Sequence, residues 1–166
     1  MKLTFRKGNI DDLNDLKQLA INSWGQFKTA LTNENWQTLS DSLNDDKTYS
    51  DLLKNSDCIV CLTDKNKIVG MTFLVSRGNP TEIYDKEWSY IRFISVDPTY
   101  SGNGIGRKLT EMCIELAKSN NEKTIALHTS ELMKNARHIY ETLGFKILRE
   151  IDQRLGKRYW LYKLDL

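Results

Sequence analysis

Several residue types are scarce in this chain, and each shortage excludes a class of protein. Two prolines and nine glycines among 166 residues leave no room for a collagen-like repeat or a proline-rich linker. No uninterrupted apolar run approaches the ~18 residues that a membrane-spanning helix needs. Basic residues outnumber acidic ones by only two, 24 against 22, so the strongly basic character of many nucleic-acid-binding proteins is missing. We therefore expect neither a nucleic acid nor a membrane among the partners.

The composition that remains is that of a folded domain. Hydrophobic residues make up 40% and charged residues 28% of the chain, which is ordinary for a globular protein. The length fits one domain, residues 1–166, that can fold without disulfides or metals. The basic segment Met1–Lys7 is followed by polar residues where a signal peptide needs its apolar core. Because three cysteines is an odd number, we expect a reducing compartment and a cytoplasmic protein.

Hydrophobic periodicity predicts alternating helices and strands. The first half is expected to contain a strand at Leu3–Arg6, a helix from Ile10 to Trp24 with Ile10, Leu13, Leu16, Leu19 and Ala20 on one face, one or two helices within Asn33–Leu53, and a hairpin of Cys58–Leu62 and Ile68–Val75. The second half is expected to contain a strand at Trp88–Val96, a helix, a strand at Thr124–Thr129, a helix at Met133–Leu143 capped by Gly144, and a hairpin of Phe145–Ile151 and Arg158–Leu164. The order β-α-α-β-β-β-α-β-α-β-β predicts a mixed α/β fold with a mostly antiparallel central sheet flanked by helices.

The most informative segment joins the strand that ends at Val96 to the next helix. It reads Ser101-Gly102-Asn103-Gly104-Ile105-Gly106-Arg107-Lys108. A tight glycine turn between a strand and a helix aims free backbone N–H groups and the positive helix end at one point, which favours an anion. Glycines also let a phosphate approach the backbone closely. The alternative is a plain tight turn, but the strand, the helix and the two following cations favour a phosphate site.

Two common phosphate-binding motifs do not fit this turn. A dinucleotide fold needs the spacing G-x-G-x-x-G, whereas the third glycine here is Gly106, one position early. A Walker loop needs G-x-x-x-x-G-K-[ST], and neither Gly102 nor Gly106 supplies that pattern.

Two motifs together resemble those of the GNAT superfamily of acyl-CoA-dependent N-acetyltransferases. They are Val96-x-Pro98-x-x-x-Gly102-x-Gly104-Ile105-Gly106 and, after a helix, Ala136-x-x-x-Tyr140-x-x-x-Gly144-Phe145. The resemblance is densest from Trp88 to Phe145, and the element order extends it to the whole chain. It implies an enzyme that transfers an acetyl group from acetyl-CoA, as co-substrate, to a primary amine in a ternary complex, with no metal.

The resemblance also implies roles for individual residues. In the family, the strand ending at the Val96 position carries a bulge and splays from its neighbour, and pantetheine lies in the gap. Backbone at Ile94 and Val96 is expected to bind pantetheine, and an amide near Val96 to polarise the thioester carbonyl. The pyrophosphate is expected at Ser101, Gly102, Asn103, Gly104, Ile105, Gly106 and Arg107. Tyr140 is expected to contact the cofactor and to protonate the leaving thiolate as the general acid, rather than to be only a core aromatic.

The chain departs from the family pattern at two positions. Ser101 stands where the family usually has Gln or Arg, and Met133 stands seven residues before Tyr140, where Asn is frequent. Because neither change touches the backbone contacts, we expect weaker or rearranged cofactor binding rather than its loss.

His128 is the candidate general base for the acceptor amine. It lies on the strand before the Tyr140 helix, where a branch of the family that acts on protein N-termini places a basic Glu. A histidine titrates in a range suited to this work, although it can equally be a packing or solvated residue. The rival bases are Glu82, Asp85 and Glu87 in the preceding loop and Tyr90 acting through water. His138 is expected on a helix surface.

The remaining motifs favour structural roles. Cys58 and Cys61 are three apart on a strand, so their thiols should point to opposite faces and cannot share a metal. Two groups of aromatic residues have open roles. Either an acceptor wall or core packing is expected for Trp24, Phe27 and Trp36, and either sheet packing or a homodimer contact for Tyr159, Trp160 and Tyr162.

The identity of the acceptor stays open at this level. A protein N-terminus, a lysine, a polyamine or a small metabolite all carry the required amine, and His128 slightly favours a peptide-like acceptor. Two alternatives to an acetyltransferase remain. The first is a non-catalytic acyl-CoA sensor of the same fold, and the second is a dinucleotide-binding oxidoreductase.

Overall fold

A computed structural model describes all residues of the chain, 1–166, as seven strands and five α-helices. The strands are β1 Leu3–Lys7, β2 Asp57–Thr63, β3 Ile68–Val75, β4 Ser89–Val96, β5 Thr124–Ser130, β6 Lys146–Arg154 and β7 Lys157–Asp165. The helices are α1 Leu13–Gly25, α2 Asn33–Leu43, α3 Asp46–Asn55, α4 Ile105–Ser119 and α5 Lys134–Thr142. None of these helices has the length and apolar character needed to cross a membrane.

All seven strands form one sheet in the order β1-β2-β3-β4-β5-β7-β6. Every neighbouring pair is antiparallel except β4 and β5, which run parallel. Helices α1 to α3 cover one side of the sheet, here called the α1 face, and α4 and α5 cover the other, the α4 face. The predicted fold class and strand order along the chain are thereby confirmed.

The core is built in two layers, one on each face. Fully buried side chains of the α1 face include Tyr49 and Phe73, and those of the α4 face include Leu109 and Phe145. Cys58 belongs to the first layer and Cys61 to the second. The two thiols therefore point to opposite faces, as their spacing on the strand predicts.

The N-terminal helical region settles one open point and differs from the sequence prediction in another. Of the one or two helices expected within Asn33–Leu53, two form, because Asp45 interrupts the chain and its carboxylate accepts the amide of Lys47 as an N-cap. Ile10 was expected on the buried face of the first helix, but it lies in a 3-10 turn before α1 and its side chain is 59% exposed.

The 3-10 turn exists because Asp12 has another partner. Its carboxylate accepts the amide of Asn9 and a bidentate pair of hydrogen bonds from Arg6 at 2.8 and 2.9 Å. The helix therefore starts one turn later than the apolar spacing predicts.

Candidate active site

Strands β4 and β5 separate soon after they pair. Only two parallel residue pairs join them, Ser89 with Ile125 and Tyr90 with Ala126. A bulge in β4 accompanies the separation, because Met71 pairs with Ser95 while Phe73 pairs with Arg92, which leaves one extra residue in β4. The strand therefore turns away from β5 and opens a gap in the middle of the sheet.

The bulge holds a strained residue. Phe93 has a φ of +56°, a conformation that bulky side chains rarely adopt. Its ring lies 5.8 Å from that of Tyr49 and 6.2 Å from that of Phe73. Packing on the α1 face thus holds the bulge, and the bulge and splay expected from the resemblance are both present.

The glycine turn lies at the end of β4 and leads into α4. Gly102 has a φ of +82° and Gly104 a φ of +73°, and both conformations favour glycine over any residue with a Cβ. No backbone acceptor bonds the amides of Gly102, Asn103 and Gly104. Since the first helical bond runs from the Lys108 amide to the Gly104 carbonyl at 2.9 Å, the first-turn amides of α4 are also without helical partners. Consecutive N–H groups are therefore free to bind an anion.

The side chains around this turn offer an anion fewer free hydrogen-bond donors than the backbone amides do. The guanidinium of Arg107 already bonds Glu111 at 3.0 Å and Thr142 at 3.0 Å. Asn103 donates to the carbonyl of Tyr100, and Ser101 is exposed. The donors that this turn offers to an anion are therefore chiefly backbone amides.

Tyr140 projects from α5 into the α4 face. Its ring packs edge-on against Phe145 at 6.0 Å and Tyr162 at 6.3 Å. Its hydroxyl makes no hydrogen bond with the protein, and burial raises its pKa above the usual value of a phenol. The hydroxyl therefore stays protonated and has its proton available for a ligand. Ile94 and Val96 are half-buried on this same face.

His128 lies on the opposite face. Its Nδ1 is 2.6 Å from the hydroxyl oxygen of Tyr84, and no carboxylate lies within 4 Å of its ring nitrogens. Burial, together with the positive charges of Arg154 and Arg92, lowers the pKa of His128 to about 4. His128 is therefore neutral at physiological pH.

Tyr84 is a site residue that the sequence prediction missed. It is 97% buried although it lies in the polar loop between β3 and β4. The hydroxyl of Thr81 accepts the amides of Ile83 and Tyr84 and so shapes the turn that carries the ring. The ring then stacks on Tyr90 with centroids 4.1 Å apart. The sequence signal that could have identified Tyr84 is that it is a single aromatic residue within a polar loop.

Three of the four rival bases have other partners, and the fourth, Glu87, is exposed in the loop. Tyr90 donates its hydroxyl proton to the carbonyl of Asn79, and Glu82 pairs with Arg154 at 3.4 Å. Asp85 accepts the amide of Glu87 within the loop. Of the candidate bases, His128 alone combines a neutral lone pair with a place beside the gap. His138 is exposed on α5, as expected.

The far side of the α1 face is bordered by two segments. Trp24 and Phe27 contact each other edge to face at 6.0 Å, and the Lys28 ammonium lies 5.7 Å from the ring of Trp36. The turn between β6 and β7 reaches this region, since a Cβ on Gly156 would lie 3.2 Å from the Asn35 side chain. The closing strand packs in the sheet, with Tyr159 and Tyr162 both buried.

Comparison with known proteins fits this geometry. A family model described as the Acetyltransferase (GNAT) family matches residues 16–145. The chain belongs to this family. N-acetylaspartate synthetase of Xenopus tropicalis is 31% identical over 91 residues, which are 55% of this chain and 31% of that protein. N-alpha-acetyltransferase 30 of Saccharomyces cerevisiae is 32% identical over 108 residues, 65% of this chain and 49% of that protein. The GNAT chain described here thus spans less than half the length of either relative.

Solved structures share the fold over the whole chain. The paia N-acetyltransferase of Thermoplasma acidophilum in complex with coenzyme A has a TM-score of 0.79 at 16% identity and covers 99% of this chain and 100% of its own. A chain of the NatC complex bound to Gag peptide and CoA has a TM-score of 0.75 at 19% identity, covering 100% of this chain and 99% of its own. At these identities the likeness shows that the GNAT fold is shared.

Proposed function

We propose that this protein is an N-acetyltransferase that moves the acetyl group of acetyl-CoA directly to a primary amine. The observation that carries the proposal is the gap between β4 and β5, which has free turn amides and Tyr140 on one face and neutral His128 on the other. Two substrates can then meet through the gap, each held on its own face. The family and the names of its relatives support the same chemistry.

Acetyl-CoA is assigned to the α4 face. The amides from Gly102 to Arg107 hold its pyrophosphate, and the unpaired edge of β4 around Ile94 and Val96 binds pantetheine. A free amide near Val96 polarises the thioester carbonyl. The fit rests on donors that have no other partner in the fold, which is what an incoming acceptor requires.

The amine is assigned to the α1 face, beside His128. As the amine nitrogen bonds to the acetyl carbon, the carbon–sulfur bond breaks and the nitrogen becomes strongly acidic. Nε2 of His128 accepts one proton from that nitrogen, and the hydroxyl of Tyr140 donates one to the leaving sulfur, so the charges balance. This role needs the tautomer in which Nδ1–H donates to Tyr84, because only then is the lone pair of Nε2 free.

Two-substrate kinetics test this proposal. Initial rates of thiol release are measured while acetyl-CoA and an amine are varied together, over a panel that contains amino acids, peptides with a free N-terminus, lysine derivatives and a polyamine. Direct transfer predicts intersecting double-reciprocal lines for at least one amine, whereas parallel lines would indicate an acetyl-enzyme intermediate. CoA binding with no turnover on any amine would favour the acyl-CoA sensor instead.

A further inference from the structure

Arg92 is an exposed arginine on the central strand β4, and its guanidinium has no hydrogen-bond acceptor in the protein. The chain has eight arginines, and only Arg92 and Arg149 form neither an ion pair nor a side-chain hydrogen bond. Both are exposed, but Arg149 lies on the edge strand β6, whereas Arg92 lies on the central strand β4 beside the gap, where a ligand can replace the water at its guanidinium. The Cζ atom of its guanidinium lies 5.4 Å from the centroid of the Phe93 ring.

The strand register places Arg92 beside the candidate base. Tyr90 and Ala126 are the last pair that joins β4 to β5, and both side chains belong to the α1 face. Since side chains alternate along a strand, the residues two positions further on, Arg92 and His128, share that face. They therefore lie on opposite sides of the mouth of the gap, where the acceptor must enter.

A second guanidinium reaches the same region from the end of β6. Nη2 of Arg154 lies 3.4 Å from Oε1 of Glu82, two residues before the Tyr84 that contacts His128, and its charge lowers the pKa of His128. Its partner Glu82 is 82% exposed, and such surface pairs contribute little and exchange easily. A carboxylate of a substrate can replace that of Glu82 at this guanidinium.

We infer that the acceptor carries a carboxylate within the same amino-acid unit as its amine, and that Arg92 and Arg154 bind this carboxylate while the amine lies at His128. The inference rests on the proposed function and names its substrate class. Arginine is suited to this task because its planar fork matches both carboxylate oxygens. The same two positive charges disfavour a polyamine at this face.

A bound carboxylate would also change the basicity of His128. Both arginines lower the pKa of His128 in the free protein. A substrate carboxylate between them offsets their charge and makes His128 more basic when the amine is in place. An acceptor without that carboxylate leaves the base weak.

Matched acid and amide acceptors test the inference. One pair is alanine against alaninamide, which examines the carboxylate of a free amino acid. The other is Asp-Ala-Ala-amide against Asn-Ala-Ala-amide, which examines a side-chain carboxylate at a peptide N-terminus. The kcat/KM values are measured for wild type, R92Q, R154Q and the control R149Q, which removes an equally unpaired charge from the edge strand. Comparing the acid-to-amide ratio between variants cancels the difference in amine basicity, because that difference is the same for every variant.

The inference predicts that R92Q lowers the acid-to-amide ratio of one pair by roughly tenfold to a hundredfold, as expected for a charge-assisted hydrogen bond. R154Q should lower the same ratio less, and R149Q should leave it unchanged. If the ratio is equal in wild type and R92Q, or if only uncharged or polycationic amines are acetylated, the inference is wrong while the proposed function stands. If no amine is acetylated and CoA does not bind, the proposed function itself fails.

Discussion

Replacing Tyr140 with Phe should separate catalysis from stability. The ring would keep its contacts with Phe145 and Tyr162, and the lost hydroxyl makes no hydrogen bond with the protein. The free energy of unfolding should therefore change by less than about 1 kcal/mol, because no hydrogen bond within the protein is lost. If Tyr140 protonates the leaving sulfur, kcat should fall by about a hundredfold or more.

Tyr162 provides the matched control. Its hydroxyl accepts from Arg137 at 2.9 Å and donates to Glu141 at 2.8 Å, so it is occupied within the fold. Y162F should lower the free energy of unfolding by about 1–2 kcal/mol and leave kcat within a few-fold of wild type. The two variants thus predict opposite outcomes from the same atomic change.

The assay combines three measurements on each variant. Thiol release at saturating acetyl-CoA and amine gives kcat, urea denaturation gives the free energy of unfolding, and calorimetric titration gives the affinity for CoA. Wild-type kcat in Y140F would refute the general-acid role. A loss of kcat accompanied by an equal loss of stability or of CoA affinity would show that Tyr140 only supports the site.

Three other perturbations have defined outcomes. The pKa of His128 is lowered to about 4 in the folded protein, whereas an unfolded histidine titrates near 6.5. Lowering the pH from about 6.5 to about 4 should therefore reduce the free energy of unfolding by up to about 3 kcal/mol. Urea denaturation at each pH measures this loss, which should be smaller in H128Q. In G106A the new Cβ would make only ordinary contacts, 3.8 Å from Ile139 Cδ1 and 3.9 Å from Val96 Cγ2, so the change should stabilise the fold by up to about 1 kcal/mol yet weaken CoA binding by on the order of tenfold through one lost backbone contact. G25A should not affect CoA, and equal CoA affinity in G106A would contradict the assigned phosphate site. In G70A the new Cβ would lie 2.6 Å from Ile105 Cγ2, and overpacking should lower the free energy of unfolding by roughly 1–3 kcal/mol; an unchanged denaturation midpoint would show that α4 can move.

Local sequence patterns were sufficient to predict the glycine turn. Gly102 and Gly104 are needed where the backbone φ is positive, and such a requirement is visible in the sequence itself. The strand before the turn and the helix after it follow from periodicity in the same way. His128 was placed correctly on a strand beside the gap, since β5 has a clear apolar pattern.

Contacts between distant segments could not be predicted in this way. Tyr84 and His128 are 44 residues apart in the chain, and Tyr84 is buried only because the loop folds back across β4 and β5. Arg92 resembles an ordinary exposed residue until the two-pair register of β4 and β5 places it opposite His128. Ile10 was mispredicted because the ion pair of Arg6 with Asp12 overrides helical spacing.

The free amides of the glycine turn and the gap beside Tyr140 are assigned to CoA. A thermal-shift titration with acetyl-CoA, CoA and NADH in parallel examines this assignment, because a ligand that binds only the folded state raises the melting temperature. A saturable rise is expected with both CoA ligands and none with NADH. No rise with either CoA ligand would contradict the assigned cofactor site, and a rise with NADH alone would favour the oxidoreductase.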